Sequence, residues 1–385
     1  MDAVASRGPD RPGNPWYPPG TDHLALVLQG GGALGAYQAG VYQALHEARL
    51  WPDSVAGVSI GGINSAIIAG NPIERRLDRL REFWETVTAG RGWPLLPEGD
   101  AVRKMHNMWS SLMTIAFGQP GFFTPRPGNA WFSPRGAQSA TAFYDSRPLR
   151  ETLLRLVDFE LLNNGDVGYA AGSVNVENGN FAYFDNRHMT IEPEHVMASG
   201  ALPPALPMVQ VGTDNFWDGG LVSNTPLQHI IDNPMGEHVL VFQVDLFSAR
   251  GILPRDMPEV LGRQKDIQYS SRTRLVTDYF RRMHKQDLLL KRLLSRLPDD
   301  SLEPDEKAEK ARLARMPSFR ILHLIYQQAA YEGEAKDYEF SGASMREHWD
   351  SGYRDTRRTL AHRDWLRGHA PDRGIEVHDI HRQED

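Results

Sequence analysis

Short apolar runs alternate with stretches of helical periodicity along most of the chain. Residues 24–28 are apolar throughout and lead into glycines, after which apolar positions recur at helical spacing over 33–48. The order then repeats, with a strand predicted at 54–58, a turn at 59–62 and a helix at 63–69. Unbroken apolar runs of this length are typical of strands that are buried on both faces of a parallel sheet.

The same alternation continues further along the chain. Later apolar runs predict strands at 168–176, 181–184, 215–217, 239–244 and 319–325. Helical patterns predict helices at 73–87, 149–157 and 193–197. Strands that alternate with helices in this way predict an α/β fold with a largely parallel sheet.

The pattern changes beyond about residue 250. Residues 263–297 predict one long helix whose ten Lys or Arg and three Asp give a local charge of about +7. An amphipathic basic helix either lies on anionic lipid or packs its apolar stripe on its own domain. We therefore predict a main domain at 22–250 and a mainly helical extension at 251–385, from which the strand at 319–325 is a candidate to return to the sheet.

The composition excludes several kinds of site. The 385 residues include no cysteine, which excludes disulfides, thiolate zinc sites, iron–sulfur clusters and cysteine nucleophiles. The net charge of −7 argues against a general nucleic-acid binder, so no nucleic-acid partner is expected. Residues 1–21 are rich in Pro and Gly and lack the apolar core of a secretory signal, and no apolar run reaches the ~18–20 residues of a spanning helix. We expect a flexible arm at 1–21 and a cytoplasmic protein, with peripheral contact to a membrane surface left open.

The glycine-rich sequence GGGALG has two interpretations. Gly30, Gly32 and Gly35 match the G-x-G-x-x-G spacing of dinucleotide-binding loops, and a helix N-terminus suits phosphate groups. That function also needs an acidic residue at the far end of the second strand, where it would bind a ribose hydroxyl. Asp53 lies where this strand begins, and Ser59 follows its far end, so the dinucleotide interpretation is the weaker one.

Ser59 lies in GVSIGG, a G-x-S-x-G pattern between a predicted strand and a predicted helix. This is the context of a nucleophile elbow, in which Gly57 and Gly61 remove side chains that would clash in the turn. Parallel strands that are neighbours deliver their turns to the same edge of the sheet. The GGGALG loop would then lie beside the serine, where unobstructed amides would stabilise an oxyanion.

A serine hydroxyl also needs a base. Asp218 follows a short apolar run and precedes two glycines, which places a carboxylate in an open turn at the end of a strand. An ordinary Asp-Gly turn gives the same pattern. Histidine is the usual activator of serine, but none of the 14 histidines falls in a comparable turn framed by glycines.

The motifs GGGALG, GVSIG and DGG, in this order and these contexts, resemble the patatin-like phospholipase family, and so does ASGALPPALP at 198–207. The resemblance covers roughly 22–250. It implies a three-layer α/β sandwich and hydrolysis of acyl esters of lipids through an acyl-serine intermediate, without a metal or cofactor. The tail after 250 resembles an uncharacterised extension of bacterial patatin-like proteins.

The resemblance also implies roles for individual residues. Ser59 would be the nucleophile and Asp218 the general base of a Ser–Asp dyad without histidine. The backbone amides of Gly30, Gly31 and Gly32 would form the oxyanion hole. This sequence departs from the family at Leu34, because many relatives carry Arg or Lys just before the last glycine of the first motif.

Residues 101–135 are rich in Met and aromatic residues. Met105, Met108, Trp109 and Leu112 recur at helical spacing, and a Pro/Gly-rich aromatic stretch follows them. Such side chains suit an acyl-chain pocket or a lid, in which case deletion of 118–132 would change chain-length preference. A core helix followed by an anchored loop gives the same pattern.

Two other functions stay open on the sequence alone. One is a dinucleotide-binding oxidoreductase that uses the GGGALG loop, and the other is a non-catalytic lipid-binding or scaffold protein. The sequence does not identify the ester, its positional or chain-length selectivity, or the oligomeric state.

Overall fold

The computed structural model describes residues 17–89, 99–128, 130–329, 331–366 and 374–380. Residues 1–16 of the arm predicted at 1–21 lie outside the described residues. The strands are β1 (His23–Leu28), β2 (Ser54–Val58), β3 (Thr124–Pro125), β4 (Tyr144–Asp145), β5 (Gly168–Asn175), β6 (Phe181–Asp185), β7 (Val209–Val211), β8 (Asp214–Asp218), β9 (His238–Asp245), β10 (Ser318–Ile325) and β11 (Ile375–Asp379). The helices are α1 (Ala36–Glu47), α2 (Ile60–Ala69), α3 (Ile73–Thr88), α4 (Asp100–Phe117), α5 (Arg147–Leu156), α6 (Phe159–Asn164), α7 (Pro193–Ser199), α8 (Leu227–Asp232), α9 (Met257–Leu294), α10 (Pro304–Ala314), α11 (Gly342–Ala361) and α12 (Arg363–Leu366).

Within the described residues, nine strands form one sheet in the order β11-β10-β9-β1-β2-β5-β8-β7, and β6 also pairs with β5. The neighbours from β11 to β5 are parallel, whereas β6, β7 and β8 make antiparallel pairs. The predicted α/β fold with a largely parallel sheet is therefore confirmed. The strand predicted at 319–325 corresponds to β10, which lies between β9 and β11.

Helices cover both faces of this sheet. Leu24, Leu26 and Leu28 of β1 belong to a large core that includes residues of α1, α2, α3 and α11. Ala25 and Val27 belong to a smaller core on the opposite face, formed with residues of α8. Alternate residues of a strand point to opposite faces, so an apolar run without alternation marks a strand covered on both sides. The predicted three-layer arrangement is confirmed by these two cores.

Two predicted element boundaries need correction. The turn predicted at 59–62 is shorter, because α2 begins at Ile60, directly after Ser59. The helix predicted at 263–297 is α9, which begins earlier and ends at Leu294. Phe280 of α9 packs against the smaller core, so this helix covers part of the sheet. No helix in the described part of the chain combines the length and the apolar character that crossing a membrane requires.

Candidate active site

Ser59 occupies a sharp turn between β2 and α2. Its backbone has φ 55° and ψ −126°, a region that residues with a side chain rarely adopt. Its amide donates to the backbone oxygen of Ser199 at 3.1 Å and to the Ser199 hydroxyl at 3.0 Å. Strained backbone of this kind persists only where the surroundings hold it, and it is common at functional sites.

The glycines around Ser59 are required by close backbone approach. A Cβ atom on Gly57 would overlap the backbone of Gly61. A Cβ atom on Gly61 would overlap the carbonyl of Leu28, the last residue of β1. Because these two positions are glycines, the backbone can turn tightly enough for α2 to begin at the residue after Ser59.

Strand register brings Asp218 to Ser59. On β5, Gly172 pairs with Val58, and the next residue, Ser173, pairs with Asp218. Asp218 therefore lies one residue beyond the end of β2, at the level of Ser59. Asp218 is the last residue of β8, as the sequence pattern predicted, and β8 runs antiparallel to β5.

The Asp218 carboxyl group is buried, with 2% of the residue exposed. Burial disfavours its charged form and raises its pKa to about 6. Hydrogen bonding from the Ser59 hydroxyl and from the Gly220 amide, at 2.7 Å from the carboxylate, acts in the opposite direction. An aspartate with this pKa is a stronger base than an ordinary aspartate and is still mostly ionised at neutral pH.

The glycine loop after β1 lies against this pair. A Cβ atom on Gly30 would lie 3.0 Å from the Ser59 Cβ atom. The Gly30 amide donates to the backbone oxygen of Asn224 at 3.2 Å and is therefore already engaged. Within the described residues, the amides of Gly31 and Gly32 donate to no protein acceptor.

Gly32 requires glycine for two reasons. Its φ is +53°, in the left-handed region. A Cβ atom there would also overlap the carbonyl of Asp337, which lies in a short 3-10 helix at Lys336–Tyr338. Asp337 is itself held by an ion pair with Lys265 of α9 at 2.7 Å. The extension beyond residue 250 therefore packs directly on the glycine loop.

A cavity of about 300 Å³ contains Ser59, Asp218 and all three glycines of the loop. Its walls are mainly apolar, and no histidine is among the described residues that line it. The apolar and aromatic lining residues are Ile115, Phe122, Phe123, Phe143, Tyr144, Leu202, Pro204, Ala205, Leu206, Phe247, Tyr269, Tyr338 and Phe340. The structure therefore brings Ser59, Asp218 and the three glycines of the loop together at one mainly apolar cavity.

Sequence reasoning did not identify several residues at this site. Ser199 and Asn224 fix the elbow and the glycine loop, and Asn224 had a local signal, since it follows DGG by only four residues. Tyr269, Asp337 and Tyr338 come from the extension, where no motif marks them. Only the folded chain could reveal these three.

Two other sequence features have defined places. Asp53 accepts hydrogen bonds from the Tyr17 hydroxyl and the Leu24 amide, both at 2.8 Å, at the opposite end of β2 from the glycine loop. It is therefore remote from the position that a ribose would need. Leu34, the last residue before Gly35 in the glycine-rich motif, is fully buried in the main core.

The Met-rich segment separates into two parts. Phe122 and Phe123 are buried and line the cavity, as an acyl-chain site would require. Met105, Met108 and Trp109 of α4 are exposed, so the interpretation of this stretch as a core helix is wrong.

Comparison with known proteins gives matches over most of the chain. Lysophospholipase NTE1 of Cryptococcus neoformans var. neoformans serotype D is 27% identical over 233 residues, which are 60% of this chain and 12% of that protein. A patatin-like phospholipase domain-containing protein of Caenorhabditis elegans, M110.7, is 38% identical over 61 residues, 16% of this chain and 6% of that protein. This chain thus spans a small part of the length of these relatives.

Two solved structures are also similar. VipD from Legionella pneumophila has a TM-score of 0.39 and 14% identity, over 88% of this chain and 67% of that chain. The type III effector protein ExoU has a TM-score of 0.30 and 16% identity, over 90% of this chain and 54% of that chain.

Family models match both parts of the chain. Residues 267–372 match a model described as patatin phospholipase. Residues 26–231, more than half of the chain, match the model described as patatin-like phospholipase. The protein belongs to the patatin-like phospholipase family.

Proposed function

We propose that this protein is a serine acyl hydrolase that cleaves carboxylic ester bonds of lipids through a Ser59–Asp218 dyad. The observation that carries the proposal is the pairing of a serine on a strained turn with a buried carboxyl group, inside an apolar cavity. Acyl transfer needs a nucleophile, a base and oxyanion donors, and Ser59, Asp218 and the amides of the glycine loop would serve as these groups.

The proposed reaction begins when the ionised Asp218 accepts the Ser59 proton as the hydroxyl oxygen attacks the ester carbonyl. The resulting oxyanion accepts hydrogen bonds from the amides of Gly31 and Gly32, and the N-terminus of α2 adds a favourable dipole. The tetrahedral intermediate then releases the alcohol, which takes the proton from Asp218. Water then attacks the acyl-serine in the same way, and Asp218 again accepts the proton. The fatty acid is released as the Ser59 oxygen takes the proton back from Asp218.

The role of Gly30 in this proposal differs from that of its neighbours. Its amide is bound to the Asn224 carbonyl, so we assign it to positioning of the loop and assign oxyanion contact to Gly31 and Gly32. Losing one such donor typically costs ~10²–10³ in rate.

The substrate class follows from the walls of the cavity. Apolar and aromatic side chains surround the dyad, which suits an acyl chain of a lipid. The similarity to a protein named lysophospholipase supports a lysophospholipid as the first substrate to test.

The division into domains at 22–250 and 251–385 stays a prediction. We propose that the second part completes the acyl site, because Tyr269, Tyr338 and Phe340 line the cavity that holds Ser59. On this view residues from both parts contribute to substrate selectivity.

The test is hydrolysis of lysophosphatidylcholine, together with labelling by a fluorophosphonate probe. Ser59→Ala should abolish both, and Asp218→Asn should reduce both by several orders of magnitude while the fold is retained. Labelling of wild-type protein at a residue other than Ser59, or full activity of Asp218→Asn, would exclude the dyad.

Ser54→Ala is the matched control. Ser54 is the first residue of β2, the strand that leads to Ser59, and it is hydrogen-bonded to His23 Nε2 at 2.9 Å. His23 Nδ1 lies 3.7 Å from Asp53. This group has the composition of a Ser–His–Asp triad, but the cavity beside it is only about 10 Å³, too small for an ester. The control should keep wild-type labelling and activity.

A further inference from the structure

Helix α4 has the reverse of the usual amphipathic arrangement. Its buried side carries the polar residues Arg103, Asn107, Ser111 and Thr114. Its exposed large apolar side chains include five that recur at helical spacing, Met105, Met108, Trp109, Leu112 and Ile115. A helix on the surface of a water-soluble domain normally turns its apolar stripe inward. We call these five exposed residues the α4 face.

Polar contacts hold this helix in its orientation. Arg103 donates to Glu347 of α11 at 2.7 Å and lies over the Tyr331 ring. At the other end of α4, the Tyr144 hydroxyl donates to the Ile115 carbonyl at 2.7 Å. Since both ends are anchored, the apolar side chains are presented to the outside by the fold itself.

The α4 face continues into the mouth of the cavity. Ile115 and Phe143 are both exposed and both line the cavity that contains Ser59. An apolar chain that entered the cavity would therefore pass along this face. Exposed apolar surface that adjoins a binding cavity marks an interaction site.

Charge identifies the kind of surface that the α4 face fits. Residues 101–144, which lie between Asp100 and Asp145, contain four Lys or Arg and neither Asp nor Glu, although the whole chain carries −7. Arg103 is buried and paired with Glu347, so the basic residues of this segment that could meet a lipid surface are Lys104, Arg126 and Arg135. The rest of the chain therefore carries about −11. A second copy packed symmetrically through this segment would place like charges together, whereas an anionic lipid surface attracts them.

We propose that the α4 face docks on an anionic lipid surface and thereby places the mouth of the cavity against the lipid. Trp, Met and Leu side chains would enter the boundary between headgroups and acyl chains, with Lys104, Arg126 and Arg135 at the level of the headgroups. This proposal rests on the proposed function and adds how the lipid substrate reaches Ser59. Binding of the protein to the lipid surface does not itself require ester hydrolysis.

Vesicle flotation tests the proposal with the full chain. Wild-type protein should float with phosphatidylcholine vesicles that contain phosphatidylglycerol and should float less with pure phosphatidylcholine. The double variant Trp109→Glu/Leu112→Glu changes residues that are 59% and 51% exposed, so folding should survive. It should bind about tenfold more weakly, because it loses apolar insertion and gains two negative charges.

The matched control is Leu289→Glu/Leu293→Glu on α9. Leu289 and Leu293 are 51% and 49% exposed. Their substitution adds the same two negative charges on another helix. The control should bind vesicles as wild type does. Both variants should hydrolyse a soluble short-chain ester at the wild-type rate, since none of these four residues lines the cavity.

Several outcomes would overturn the proposal. They are unchanged vesicle binding by the α4 variant, equal loss in the control, and failure of wild-type protein to bind either vesicle. A wild-type dimer that the α4 variant dissociates, without vesicle binding, would instead assign the face to a second copy. Ser59→Ala should float as wild type does while losing hydrolysis. Full hydrolysis by Ser59→Ala with unchanged flotation would refute the proposed chemistry and leave docking intact.

Discussion

Asn224 and Gly30 hold each other through two hydrogen bonds in opposite directions. The Gly30 amide donates to the Asn224 carbonyl at 3.2 Å, and the Asn224 side-chain amide donates to the Gly30 carbonyl at 2.9 Å. This bridge joins the loop that follows β1 to the chain that follows Asp218. It therefore sets the distance between the proposed oxyanion donors and the proposed base.

Asn224→Ala should lower kcat on a soluble ester by about 10–100-fold with little change in KM, because the amides of Gly31 and Gly32 would lose their alignment. Steady-state kinetics measure both constants. Asn233→Ala is the control, since among the described residues the Asn233 side chain donates to its own helix end, at the His229 carbonyl. A rise in KM at constant kcat would indicate a role in ground-state binding instead.

Activity should depend on the ionisation of Asp218. Because burial raises its pKa to about 6, kcat/KM should fall about tenfold per pH unit below that value and level off above it. A pH profile on a soluble ester measures this, with circular dichroism at each pH to show that the fold persists. A profile whose acid limb lies near pH 4 would contradict the buried base.

The same carboxyl group should make stability depend on pH. The folded pKa of Asp218 lies above its unfolded value of 3.8, so the native state binds the proton more tightly. The charged carboxylate therefore destabilises the fold increasingly from about pH 4 to pH 6, by an upper bound of roughly 3 kcal/mol.

Asp218→Asn removes this titration. Relative to wild type, the variant should gain stability as the pH rises from 4.5 to 7, and the gain should then be constant. Urea unfolding at several pH values measures the difference. A difference that does not vary with pH would show that the wild-type carboxyl group titrates at its ordinary pKa.

Gly57→Ala should disrupt folding as well as activity. The new methyl group would overlap the backbone of Gly61, which cannot move without shifting the start of α2. We expect loss of soluble protein or a fall in melting temperature of several degrees, since clashes with backbone are among the large destabilising effects. Gly333→Ala is the control, because a Cβ atom there meets nothing within 4 Å. Equal stability of the two variants would contradict the packing at the elbow.

The local pattern of residue types along the chain was enough to predict much of the fold of this protein. The apolar run of β1 and the glycine-framed turn at Ser59 were predictable because burial on both faces and tight turning each restrict residue type over a few neighbouring positions. The fold class and the family could be recognised for the same reason. Whether Ser59 and Asp218 act as a dyad stays a prediction that the proposed experiments address.

Tertiary structure decided what depends on contacts between distant parts of the chain. The antiparallel register of β8 on β5, the approach of Asp337 to Gly32 and the entry of Tyr269 into the cavity leave no local signature. Helix α4 shows the limit most clearly, since periodicity identified its apolar stripe but not which way it faces. A helical period defines a face, and only packing against the rest of the chain determines whether that face is buried or exposed.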